Sequence, residues 1–108
     1  MSLDFYIRCD HCFSELGNYN CTHNLTAMAA EAGIYECLWH PKDIKITTAQ
    51  QMIPLLRDGL TKLEEDPERY RKLNPENGWG TYDGFLSFVR SVLSACEKFP
   101  NGVIHAST

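Results

Sequence analysis

The stretch Leu3-Asp4-Phe5-Tyr6-Ile7-Arg8 decides how the rest of this chain is read. It mixes aromatic and β-branched residues with polar ones, the signature of a strand. Cys9-Asp10-His11-Cys12 follows as its turn, and Phe13–Tyr19 returns as a second, less regular strand. At the far end, Pro100-Asn101-Gly102 reads as a turn and Val103-Ile104-His105-Ala106 as a short last strand that can pair with the first.

Between these ends the periodicity is helical. From about Asn24, the residues Leu25, Met28, Ala29, Ala32 and Tyr35 recur at three- and four-residue spacing, with Gly33 weakening that helix or ending its regular part and Pro41 ending anything that remains. Thr48 with Gln51 has capping-box spacing, and Ile53, Leu56, Leu60 and Leu63 continue as an apolar stripe. Pro54 lies beyond the first turn of that helix and predicts a kink or a later start. Asp66-Pro67 opens a short helix through Leu73. The final helix, about Thr81–Lys98, aligns Phe85, Phe88, Val89, Val92, Leu93 and Cys96 on one face.

Strands at both ends with helices between them predict one α+β domain over residues 1–108. Its small antiparallel sheet, an N-terminal hairpin plus a C-terminal strand, is covered by three to four helices. A mostly helical bundle with a marginal hairpin is the alternative.

The chain has 108 residues, 44% hydrophobic and 22% charged, with a net charge of −4. That balance suits a soluble globule and lacks the Lys/Arg cluster that sequence-independent nucleic-acid binding needs. The acidic run Glu64–Glu68 is followed by Arg69, Arg71 and Lys72 and reads as a solvated helix surface. Met1–Leu16 has no apolar stretch of signal-peptide length, and no run approaches a membrane span. The expectation is therefore a cytoplasmic protein with no membrane or nucleic-acid partner. Five cysteines in such a chain argue for reduced thiols or a metal site over a disulfide framework.

Three groups of residues can carry chemistry. Cys9-x2-Cys12 and Cys37-x2-His40 have zinc-ligand spacing and define a possible zinc-stabilised structural module, with His11, Cys21 and His23 as alternative ligands. The competing reading has Cys37 and Cys96 as small core residues and Cys9 and Cys12 as hairpin thiols. A cysteine nucleophile, Cys37 with His40 or Cys9 with His23, lacks an orienting third group and an oxyanion hole, so no catalytic residue is assigned. The second group is Asn77-Gly78-Trp79-Gly80-Thr81-Tyr82: its glycines permit a sharp turn, and Trp79 and Tyr82 suit stacking on a flat ligand or anchoring a partner, the competing reading having Trp79 plug the core and Thr81 cap the last helix.

The third group is Asn18–Leu25, in which Thr22 or Asn24 can cap the helix starting at Leu25. One cap needs one side chain, so Asn20, Thr22, His23 and Asn24 exceed that need. The candidate ligand-binding set is Asn20, Thr22, His23, Asn24, Trp39, Asn77, Trp79 and Tyr82, taking a protein partner or a small polar ligand, with no cofactor beyond the possible zinc.

These motifs are also those of a group of small uncharacterised proteins from bacteria and their phages, which the chain resembles over nearly its whole length. The resemblance lies in Asp4-Phe5-Tyr6, Asn20-x-Thr22-x-Asn24 followed by Met28, and Gly33-Ile34-Tyr35 with Leu38-Trp39. It continues through Pro67-Glu68, Asn77-Gly78-Trp79-Gly80 and Ala95-Cys96 before Pro100. It implies no particular activity. It implies that the Asn20–Asn24 and Asn77–Gly80 blocks form one feature, and that a role as a phage or mobile-element accessory, in one form an anti-defence factor, is open. Cys9, Cys12 and His40 depart from the group's pattern, which has charged or hydroxyl residues there.

Overall fold

The computed structural model describes residues 2–74 and 80–107, with only the backbone described at Ser2 and His23. The chain folds as an α+β domain. Strand β1, Ser2–Arg8, lies at the centre of a three-stranded antiparallel sheet in the order β2-β1-β3, with β2 at Glu15–Thr22 and β3 at Val103–Ser107. The register sets Phe5 opposite Tyr19 on one side and Ala106 on the other. Strand side chains alternate between faces. Leu3, Phe5 and Ile7 therefore all point to the helices and are fully buried, while Asp4, Tyr6 and Arg8 point away.

The second strand begins and ends later than expected. Phe13 sits in the turn with φ +60° and is 65% exposed, so the chain enters the sheet only at Glu15. The strand then continues through Asn18, Asn20 and Thr22, of which the two asparagines have little intrinsic β preference. Cross-strand chemistry holds them there: Asn20 stands opposite Asp4, and its Nδ2 donates to Asp4 Oδ1 at 2.8 Å.

The helix expected from Asn24 is divided. A 3-10 turn at His23–Leu25 leads into α1, Thr26–Glu31, and the chain then breaks at Gly33, where φ is +78°. Glycine reaches that conformation without the Cβ penalty. Helix α2, Tyr35–Trp39, follows, and Pro41 opens a 3-10 turn to Ile44.

Helix α3, Ala49–Glu65, starts where the capping box predicts: Gln51 Oε1 accepts from the N–H groups of Thr47 and Thr48 at 2.8 and 3.1 Å. The turn after the last helix supplies two further acceptors. Ala49 N–H donates to the Gly102 carbonyl and Gln50 N–H to that of Pro100, each at 2.9 Å. These anchors fix the helix start, and Pro54 lies inside a continuous helix without delaying it. Ile104 N–H also donates to the Thr47 carbonyl, which closes the outer edge of β3 at that point.

Helix α4, Pro67–Arg71, is capped by Asp66, and α5, Tyr82–Lys98, by Thr81, whose Oγ1 accepts from Gly84 N–H at 3.0 Å. Phe85, Val89, Val92 and Cys96 of α5 are fully buried with Met52, Leu56 and Leu63 of α3. Gly59 lets Ile34 pack against α3, since a Cβ there would lie 2.3 Å from Ile34 Cγ2.

Gly59→Ala ought by helix propensity to stabilise α3 by about 1 kcal/mol. Overpacking a filled core costs about 1–3 kcal/mol, and Ile34 is fully buried with no free space to turn into. The expected result in urea denaturation is a net loss of stability.

Candidate functional site

Strand β2 ends at Thr22 and α5 begins beside it. Thr22 Oγ1 accepts from the backbone N–H and the side-chain Nδ2 of Asn24, both at 3.4 Å. Neither residue caps α1, because the 3-10 turn intervenes and Leu25 takes the cap position without a side-chain bond. The expected helix cap is thus a cap on the turn. Gly80 presses on this corner: its φ is +104°, and a Cβ added there would stand 2.6 Å from Thr22 Cγ2 and 3.0 Å from Leu25 Cγ.

Between the two segments lies a cleft of about 310 Å³ whose lining includes Asn20, Thr22, Leu25, Gly80, Thr81 and Gly84. Its polar groups are the Asn20 amide and two threonine hydroxyls. Asn77 and Trp79 lie outside the described residues, as does the His23 side chain. Asn24 is exposed beside the cleft.

Two candidates are placed elsewhere, a correction to the proposed set. Trp39 is 2% exposed and stacks on Tyr35 with ring centroids 5.6 Å apart. It contributes to a different recess of about 210 Å³ with His40, Pro41 and Ala106. Tyr82 is 3% exposed, stacked on Tyr70 and covered by the Arg71 guanidinium 5.3 Å from its ring centre. The sequence carried a signal for this: Tyr82 is in phase with Phe85, Val89 and Val92 on the apolar face of α5.

Tyr82 does structural work at its hydroxyl. The Leu63 carbonyl would ordinarily accept from the N–H four residues on, but that residue is Pro67 and has none. The Tyr82 hydroxyl donates to it instead. Burial pushes the pKa of that hydroxyl up. Tyr82→Phe leaves a buried carbonyl without this donor, and a loss of about 1–3 kcal/mol is expected in thermal or urea melts.

The zinc quartet does not assemble. Among the described residues, no three His, Cys, Asp or Glu side chains come together in a way that could hold a metal ion. Cys9 and Cys12 sit at the hairpin turn, half-buried and exposed. Cys37 is buried in α2, donates to the Ile34 carbonyl at 3.3 Å, and is pushed up to about 12 by burial. His40 meets the Tyr35 hydroxyl at 3.1 Å. Metal-ligand spacing was present in the sequence, but the direction of the second pair was not.

A larger groove, of about 560 Å³, runs beside the other half of β2, with Leu16, Tyr19, Ser91, Ser94, Lys98 and Phe99 in its walls. Helix α5 thus flanks β2 along much of its length, antiparallel to it, with the cleft at one end and the groove at the other. Gly84, Ser87, Ser91 and Ser94 recur at helical spacing on that side of α5, a small-residue pattern beside the large apolar stripe. Among the described residues no strand pairs with the outer edge of β2, and no helix is long and apolar enough to cross a membrane. The chain matches no family model, no curated protein and no solved structure.

Proposed function

We propose that this is a small binding protein that takes an extended segment of a protein partner along the outer edge of β2. The observation that carries the reading is the coincidence of an unpaired edge strand with a helix-walled cleft and groove along it. An edge strand turns alternate N–H and C=O groups outward, where an added strand can pair with them. Cavities beside such a strand take alternate side chains and supply selectivity. Here Leu16, Tyr19 and Phe99 offer apolar contact at one end, and Asn20, Thr22 and Thr81 offer polar contact at the other.

The resemblance to phage-borne proteins supports one concrete form, a mobile-element accessory that blocks a host protein. A second reading has its own support: the cleft alone, at about 310 Å³, has the size of a small-ligand pocket, with Asn20, Thr22 and Thr81 beside apolar Leu25 and Phe88, and a nucleotide signal is the ligand class it is tested against.

Two experiments separate these readings. Tagged protein is used to capture partners from bacterial lysate, and calorimetry is run against a panel of cyclic and linear nucleotide messengers. Capture without a nucleotide response supports the first reading, and a saturable heat with a nucleotide supports the second. Silence in both overturns the binding role.

A further inference from the structure

The hairpin turn joining β1 to β2 holds two thiols that the binding site does not use. Phe13 N–H donates to the Cys9 carbonyl at 2.9 Å, and Cys9 N–H donates to the Ser14 carbonyl at 2.8 Å, closing the turn at its base. Residues Asp10 to Glu15 are all exposed, so nothing in the core rests on the shape of this tip. The bond from Phe13 to Cys9 closes an i-to-i+4 turn, and one turn of helical geometry sets Cα atoms three residues apart at about 5 Å. That lies within the roughly 4.4–6.8 Å over which a disulfide closes without strain. Cys9 is among the groups that act on the Cys12 thiol, and Cys12 Sγ lies 3.1 Å from Ser14 Oγ.

We propose that Cys9 and Cys12 form a thiol–disulfide exchange pair, with exposed Cys12 attacking a substrate disulfide and half-buried Cys9 resolving the product. The Cys12 thiolate attacks one sulfur of R–S–S–R. That S–S bond breaks, and the leaving thiolate takes a proton from water. Cys9 then gives its proton to solvent and attacks the Cys12 sulfur of the mixed disulfide, releasing the second thiol. Two protein thiols are oxidised to one disulfide, and one substrate disulfide is reduced to two thiols.

The surroundings assign the roles. The Ser14 hydroxyl, 3.1 Å from the Cys12 sulfur, holds its pKa below the usual thiol value. A lowered thiol that is also exposed is the reactive kind. The other three cysteines are the opposite case: Cys21, Cys37 and Cys96 are buried and pushed up to about 12 by desolvation.

The test uses the full chain with oxidised glutathione as the substrate disulfide, followed by alkylation of remaining thiols and peptide mass analysis. The expected wild-type product has lost two hydrogen atoms, with a bond between Cys9 and Cys12 and with Cys21, Cys37 and Cys96 unmodified. Cys9→Ser is expected to stop at a glutathionyl adduct on Cys12, and Cys12→Ser to slow the reaction at least tenfold. Wild type that keeps both thiols in excess oxidised glutathione overturns the proposal. So does a lasting glutathionyl adduct on wild-type Cys12 with no internal disulfide. These readouts on the native chain do not depend on how either variant folds.

Discussion

Phe5→Ala is expected to lower the unfolding free energy by about 3–5 kcal/mol, the range for removing a large aromatic from a packed core. Phe5 sits mid-way along the central strand, is fully buried, and faces Tyr19 and Ala106 on its two neighbours. The cavity would open where all three strands meet the helices, and a sheet tied on both sides has little freedom to collapse into it. Typical domain stability is about 5–15 kcal/mol, so the variant should be close to unfolding at physiological temperature. Tyr6→Ala, one residue along but on the open face, should cost far less, because Tyr6 is only half-buried against His105 and Arg8. Urea titration of both variants checks the pair. Equal losses would mean that the sheet does not have one buried and one open face.

Gly80→Ala should be comparably damaging, at about 2–6 kcal/mol. Two causes add. At φ +104° a residue with a Cβ is strained by about 1–3 kcal/mol. The new methyl would also stand 2.6 Å from Thr22 Cγ2, and overpacking of that kind costs a further 1–3 kcal/mol. The causes can be separated. Thr22→Ser removes Cγ2, so the double variant should regain the steric part, about 1 kcal/mol or more, and keep the conformational part. Strict additivity of the two single changes would show that Gly80 and Thr22 are not in contact, and the cleft between them would lose its closed end.

Much of this fold was legible because its signals are local. The strand at Leu3–Arg8, the apolar stripe of α5, the Thr48–Gln51 box and the pairing of Val103–Ala106 with β1 each rest on spacing within one segment or one simple pairing. The amide-rich end of β2 was not legible, because a bond to Asp4 on another strand makes Asn20 a strand residue. Gly33 does end the regular part of the first helix, one of its two readings, but that a second helix restarts at Tyr35 was not legible.

The site divided along the same line. Asn20 and Thr22 line a cleft with the start of α5, while Trp39 and Tyr82 are buried in the core. The groove along α5 could not be read from either of its walls, because Leu16 and Tyr19 are separated from Ser91 and Lys98 by most of the chain.

The central claim is that the outer edge of β2, walled by α5, is where a partner docks. Asn20 and Ser91 are both exposed and lie beside opposite halves of that edge, so a bulky side chain at either should block it; Asn20→Trp also removes the bond to Asp4, so its melt is compared with wild type first. The deciding measurement is the affinity of the captured partner for wild type, Asn20→Trp and Ser91→Trp, with Asp58→Trp on the exposed side of α3 as control. The account predicts a loss of at least tenfold, about 1.4 kcal/mol, for both blocking variants and none for the control. Unchanged affinity in both blocking variants, with their melts matching wild type, would contradict it.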